Sequence, residues 1–235
     1  MNNSFKVQIL SDELKGRLFI GGDLHGMYGL LIKKLTELGF DFLKDTFVCT
    51  GDLVDRGGLN EECVNLLDEP WFKSVRGNHE QILIGGMFND ISRQLHMDNG
   101  GEWFYQLPES RKVEIANKLD SLPYAIELNY KGMKIGVVHA NVPGSDWEKF
   151  KKSLTNPSIF NFRDKQLEGY ILWNRDRVDL SVKSEPIKGV DAIFLGHNIM
   201  QSPCRRDNFY FIDTGAFATL DLTIIEVGRF FNLSD

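Results

Sequence analysis

Cysteine is scarce in this chain, with three in 235 residues, at Cys49, Cys63 and Cys204. Their spacing suits neither a disulfide framework nor a thiolate metal site, so they read as reduced packing residues. Positive charge is short as well: 27 Lys and Arg against 33 Asp and Glu give a net charge of −6, with no basic block. That leaves no electrostatic footprint for nucleic acid or an anionic membrane surface. No apolar run approaches the length of a membrane span, and Met1-Asn2-Asn3-Ser4-Phe5-Lys6 lacks the apolar stretch of a signal peptide. A cytoplasmic protein without nucleic-acid or membrane partners is expected.

What is present is an ordinary globular composition, 42% hydrophobic and 26% charged, long enough for one substantial core. One domain over residues 1–235 is expected, because the candidate site residues below run from position 23 to position 197 and must pack together. The first half repeats strand, loop and helix three times. Arg17 to Gly22 precedes a helix pattern from Met27 to Leu38; Thr46 to Thr50 precedes one carrying Cys63, Val64, Leu66 and Leu67; Lys73 to Arg76 precedes Gln81 to Met87. Such units predict crossovers and a helix-covered sheet. Later, Arg111 to Leu122 reads as a helix, and Tyr124 to Tyr130 and Met133 to Val138 flank Lys131-Gly132 as a hairpin. A polar region from Asn141 to Gly169 resists assignment. Strand candidates at Ala192 to Leu195, Phe209 to Asp213 and Leu222 to Val227 complete an α/β sandwich with a hairpin-rich second half.

Four of the five histidines sit in short polar motifs after these apolar runs: Gly22-Asp23-Leu24-His25-Gly26, Gly77-Asn78-His79-Glu80, Val138-His139-Ala140-Asn141 and Gly196-His197-Asn198. Gly51-Asp52-Leu53-Val54-Asp55-Arg56-Gly57 lies between the first two. Open α/β sheets gather ligands at the carboxyl ends of their strands, so the motifs should converge. Asp23, His25, Asp52, Asn78, His139 and His197 offer oxygen and imidazole donors without thiolate, a set that suits Mn, Fe or Zn better than copper or calcium. If Asp52 bridges two ions, they would lie about 3.5–4 Å apart, as in two-metal hydrolysis. Two such ions contribute about +4 against two carboxylates and one hydroxide, leaving a positive centre that attracts phosphate.

The three N-terminal motifs and the two later histidines resemble the phosphoprotein phosphatase family of metallophosphoesterases, in particular its lambda-type bacterial branch. Pro70-Trp71-Phe72, Val75 to Gln81, Asn99-Gly100-Gly101 before Trp103-Phe104, and Ile171 to Arg177 carry the resemblance from Leu18 to about Val227. It implies a calcineurin-like sandwich of two packed mixed β-sheets flanked by helices. It also implies two divalent ions, Mn2+ by preference with Fe or Zn as alternatives: Asp23, His25 and Asp52 on one, Asp52, Asn78, His139 and His197 on the other. A bridging hydroxide would attack phosphorus in line. His79 would be the general acid, held by Asp55, with Arg56 and Arg175 clamping phosphate. Glu80, Arg76 and Asp213 would support loops, and His96, outside every motif, reads as a helix-face or surface histidine.

The implied activity is hydrolysis of phosphoserine and phosphothreonine in proteins or peptides, with phosphotyrosine left open. A symmetrical dinucleoside tetraphosphate hydrolase shares the metal motifs, but Asp55 and Glu80 favour the protein phosphatase. A non-catalytic metal-dependent binding protein fits less well, because no ligand or acid is missing. Asn198 and Asn141 depart from the family pattern, and no toxin-contacting loop is recognisable between Gln201 and Asp213. Inhibitor sensitivity is therefore not carried over from the family, and no regulatory subunit is expected. On residues alone, Arg163, Arg177, Arg205 and Arg206 compete with Arg175.

Overall fold

The computed structural model describes residues 7–11, 14–155 and 162–233, so the first six residues read above lie outside the described ones. The strands are β1 (Val7–Leu10), β2 (Leu18–Gly21), β3 (Thr46–Cys49), β4 (Phe72–Ser74), β5 (Ala125–Tyr130), β6 (Met133–Val138), β7 (Ala192–Leu195), β8 (Cys204–Arg206), β9 (Phe209–Phe211) and β10 (Ile224–Glu226). They form two mixed sheets, ordered β1-β5-β6-β7-β9-β8 and β10-β2-β3-β4. Within the smaller sheet β2, β3 and β4 run parallel, as successive strand-loop-helix units require, and β10 is antiparallel to β2.

Alternation along the strands sorts side chains into three cores. Leu18, Ile20 and Val48 of the smaller sheet pack against Ile126, Leu128, Ile135, Val137 and Phe194 of the larger one. Phe19, Phe47 and Phe72 point the other way, onto Leu31, Leu35, Leu83 and Leu119 of the helices. Val138, Ile193, Leu195 and Phe209 likewise face Trp147, Phe150, Ile171 and Leu172. The result is helix, sheet, sheet, helix: the expected sandwich of two packed mixed sheets flanked by helices.

The β5–β6 hairpin turns on Lys131 and Gly132, both at positive φ (46° and 82°), which matches the twist of antiparallel strands. The polar stretch that resisted assignment contains helices Trp147–Thr155 and the first part of Phe162–Trp173. Cys49 and Cys63 are buried as packing residues, but Cys204 is exposed, which corrects the uniform packing reading. Among the described residues, no helix is long and apolar enough to cross a membrane.

Candidate functional site

Each polar motif follows a strand: Asp23 and His25 after β2, Asp52 to Arg56 after β3, Asn78 and His79 after β4, His139 after β6 and His197 after β7. The loops turn sharply, and non-glycine residues take the strain. His25, Asp52, Asp55, Arg56 and His197 all have positive φ, between 44° and 73°. Such conformations cost energy and persist where surrounding structure fixes them, as at functional sites.

Asn78 and His79 open the helix Asn78–Gly86, three residues earlier than the apolar pattern from Gln81 suggests. Glu80 explains the early start. One of its oxygens accepts from Gly77 N at 2.7 Å and Asp52 N at 3.0 Å, and the other accepts from Leu53 N at 2.8 Å. The reach back to Gly77 caps the helix, and the other two bonds clasp the Asp52 loop to it. Glu80 is thus the loop support the sequence suggested. Burial and the nearby Asp52 raise its carboxyl to about 7, against the Gly77 and Leu53 N–H donors and the neighbouring His79. Arg76 supports a loop as well, donating to Gln81, Tyr124 and Asp120.

The ligating atoms of His25, Asp52 and His79 lie within 4.8 Å of one another, and so do those of Asp52, His139 and His197. Asp52 joins the two clusters into one centre. Its burial is outweighed by His139, His79 and His25, which hold the carboxylate well below the usual range. Asp23 belongs to neither cluster: its oxygens accept from Thr50 Oγ1 at 2.7 Å and His197 N at 2.8 Å. Burial, then Asp213 and Asp52, raise Asp23 well above its ordinary value. Asp213 therefore sits beside Asp23 as well as accepting from Gly215 N.

Backbone carbonyls fix the imidazole tautomers, since a carbonyl only accepts. His25 Nδ1 donates to Val54 O at 2.9 Å, His139 Nδ1 to Thr50 O at 2.8 Å and His197 Nε2 to Trp173 O at 3.3 Å. The opposite nitrogens therefore carry lone pairs. His139 Nε2 and His197 Nδ1 both meet Asn78 Oδ1 at 2.9 Å, so three acceptors converge with no hydrogen to share. A cation satisfies that arrangement. Burial depresses both His25 and His197 to about 3, which keeps them neutral, the form that binds metal.

His79 differs. Its Nδ1 donates to Asp55 Oδ2 at 2.7 Å, and its Nε2 lies 4.0 Å from Asp52 Oδ2. Burial opposes its charge, but Asp52 and Asp55 outweigh burial and raise the imidazole above its ordinary value. Asp55 is fully buried and, despite that burial, is held low by hydrogen bonds from His79 and His96.

His96 corrects the sequence reading. It is no surface residue but fully buried, with Nε2 at 3.0 Å from Asp55 Oδ1. Trp103 Nε1 reaches the same oxygen at 2.9 Å. His96 stands in no motif, and although Trp103 falls in the family-like Trp103-Phe104 segment, nothing local in the sequence ties either residue to Asp55. Thr50, which bonds both Asp23 and His139, was missed for the same reason.

Arg56 is exposed at the rim, donating to His25 Nε2 at 3.1 Å and lying over the Phe217 ring at 4.7 Å. Arg175 donates to Asn198 Oδ1 at 3.0 Å beside the His197 loop. Its competitors point elsewhere: Arg177 is bound to Asn141 and stacks on Phe209, Arg205 bonds Asp207 O, and Arg206 bonds Arg177 O. The Arg163 side chain lies outside the described residues.

A two-sheet sandwich with a buried His/Asp centre at its strand ends defines a metallohydrolase architecture. The family pattern of calcineurin-like phosphoesterases matches residues 16–206, and the chain belongs to that family. It is 30% identical to serine/threonine-protein phosphatase 2 of Salmonella typhimurium over 223 residues, 93% of this chain and 96% of that one. Its identity to serine/threonine-protein phosphatase 2 of Escherichia coli is 32%, covering 85% and 87%. A symmetrical bis(5'-nucleosyl)-tetraphosphatase of Proteus mirabilis is 37% identical, but over 36% of this chain and 31% of its own. The crystal structure of a cold-active protein-tyrosine phosphatase from a psychrophilic Shewanella shares the fold, with a TM-score of 0.65 at 16% identity, covering 95% and 78%. The chain is accordingly a phosphoester hydrolase with a potential dinuclear centre of His and Asp residues.

Proposed function

We propose that this chain, working as one unit over residues 1–235, removes phosphate from phosphoserine and phosphothreonine in proteins or peptides. Asp23, His25 and Asp52 would hold one divalent ion, and Asp52, Asn78, His139 and His197 the other. Asp23 would join by turning from Thr50. Two such ions, Mn2+ by preference, would supply Lewis acidity toward the phosphoryl oxygens and lower the pKa of water. Arg56, beside His25, and Arg175, beside the His197 loop, would orient the phosphoryl group through paired N–H donors. The overall change adds water across the ester P–O bond. Water oxygen bonds phosphorus, the ester electron pair leaves with the serine or threonine oxygen, and that oxygen takes the proton from His79 Nε2. The proton lost by water restores the imidazole.

The observation that carries this reading is the 2.7 Å bond between His79 Nδ1 and Asp55 Oδ2, which leaves Nε2 turned toward Asp52. An alkoxide is a poor leaving group and needs such an acid. Support also comes from relatives named as serine/threonine phosphatases along nearly the full chain, against one-third coverage for the dinucleotide hydrolase. The test compares initial rates on phosphoserine, phosphothreonine and phosphotyrosine peptides with a symmetrical dinucleoside tetraphosphate. The phosphopeptides should be hydrolysed faster; rapid dinucleotide cleavage with inert phosphopeptides would overturn the proposal.

A further inference from the structure

Asp55 has two carboxylate oxygens, and only one touches His79. The other is held by His96 Nε2 at 3.0 Å and Trp103 Nε1 at 2.9 Å. A carboxylate fixed by one donor on one oxygen can still rotate about its Cβ–Cγ bond; donors on both oxygens define its plane. We infer that His96, seconded by Trp103, is a positioning residue that locks the Asp55 carboxylate so that Oδ2 stays on His79 Nδ1. The inference rests on the reading of His79 as the acid of a phosphomonoesterase.

The surroundings of His96 are built to hold this geometry. The Asp55 carboxylate only accepts, so His96 Nε2 donates to it, and the Tyr105 hydroxyl at 3.0 Å is left to donate to His96 Nδ1. The ring packs edge-on to Phe104 and Tyr105, with centroids 5.9 and 5.4 Å away. Gly101 has no Cβ because one would lie 2.3 Å from the His96 ring, and Gly100, at φ +95°, approaches Arg56 N where a Cβ would lie 2.9 Å away. Asn99-Gly100-Gly101 is therefore a close-approach loop that closes the helix Asp90–Asp98 over both His96 and the Asp55-Arg56 turn. That helix exposes Ile91 and Leu95 and buries His96, so its docking depends on a polar clasp more than on an apolar stripe.

A positioning role has a signature that a purely structural one lacks. Protonation matters for an alkoxide leaving group and little for a nitrophenolate, so the loss should depend on the leaving group. With Mn2+-loaded full-length protein, His96→Leu should lower kcat on a phosphoserine peptide about tenfold, typical for removing a partner behind a reacting group. KM should be unchanged, and kcat on p-nitrophenyl phosphate nearly so. His96→Gln, whose amide returns an N–H near the Nε2 position, should recover most of the loss. Should His96→Leu fail to fold, Tyr105→Phe decides, since it keeps the ring and should show a smaller loss confined to the phosphoserine peptide. Equal losses on both substrates, or no loss on either, would overturn the positioning role while wild-type activity still upheld the phosphatase reading. A wild type inert toward both substrates would instead contradict that reading, and the inference with it.

Discussion

His139 Nε2 and Asn78 Oδ1 meet at 2.9 Å, although His139 follows β6 of the six-stranded sheet and Asn78 follows β4 of the four-stranded one. Neither sheet alone holds a complete set of donors. Packing between the sheets therefore sets the geometry of the centre, and loss of that packing should register there.

Phe194 tests this link. It is fully buried between the sheets, its ring 5.2 Å from Tyr210, two positions before Gly196-His197. Phe194→Ala should cost about 3–5 kcal/mol, measured by denaturant unfolding, and should also weaken Mn2+ binding. Full stability loss with unchanged metal affinity would show that the His197 loop is set locally.

His79→Asn should lower kcat on a phosphoserine peptide by about 10²–10⁴-fold, the usual contribution of a general acid, while metal analysis finds the same ion content as wild type. Loss of metal would mean that His79, which shares a cluster with His25 and Asp52, serves as a ligand.

The pH profile follows from the same pair. The acid acts only while Nε2 is protonated, and Asp52 and Asp55 raise His79 above 6.5 against its burial. Activity on alkyl phosphates should therefore persist above pH 6.5 and fall as pH rises past that raised value. Asp55→Asn removes one of the two supporting charges and should pull the falling limb to lower pH. A wild-type limb below 6.5 in kcat/KM would contradict the assignment.

Arg56 and Arg175 should act on substrate binding. Arg56→Ala should reduce kcat/KM by about 10–100-fold, as expected for a hydrogen bond to a charged group, with metal content intact. Arg56 also donates to His25 Nε2, so metal loss with unchanged kcat/KM at saturating Mn2+ would show a prop for His25 instead of a phosphate clamp.

The strand-loop-helix units were legible because buried strands and one-sided helices leave strong periods, and the motifs at their ends declared the donors. In helix Trp147–Thr155 the core residues Trp147, Phe150 and Leu154 stand at i, i+3 and i+7, a readable stripe that the overall polarity of the region from Asn141 to Gly169 led the sequence reading to pass over. The rest was hidden for physical reasons. Helix Asp90–Asp98 buries a histidine where an apolar residue would have announced a packed face. The three-residue strand β8 is exposed and carries Cys204, Arg205 and Arg206, with no alternation to read. His96 reaches Asp55 across 41 residues, a relationship that exists only in space.

The two clusters share Asp52, and the central claim is that they form one two-ion centre that hydrolyses phosphomonoesters. Titrating metal-free protein with Mn2+ while following phosphoserine-peptide hydrolysis and bound metal tests it most directly. Activity should be absent without metal, rise with occupancy and level off at two ions per chain. A plateau at one ion, or hydrolysis that persists in excess chelator, would contradict the account.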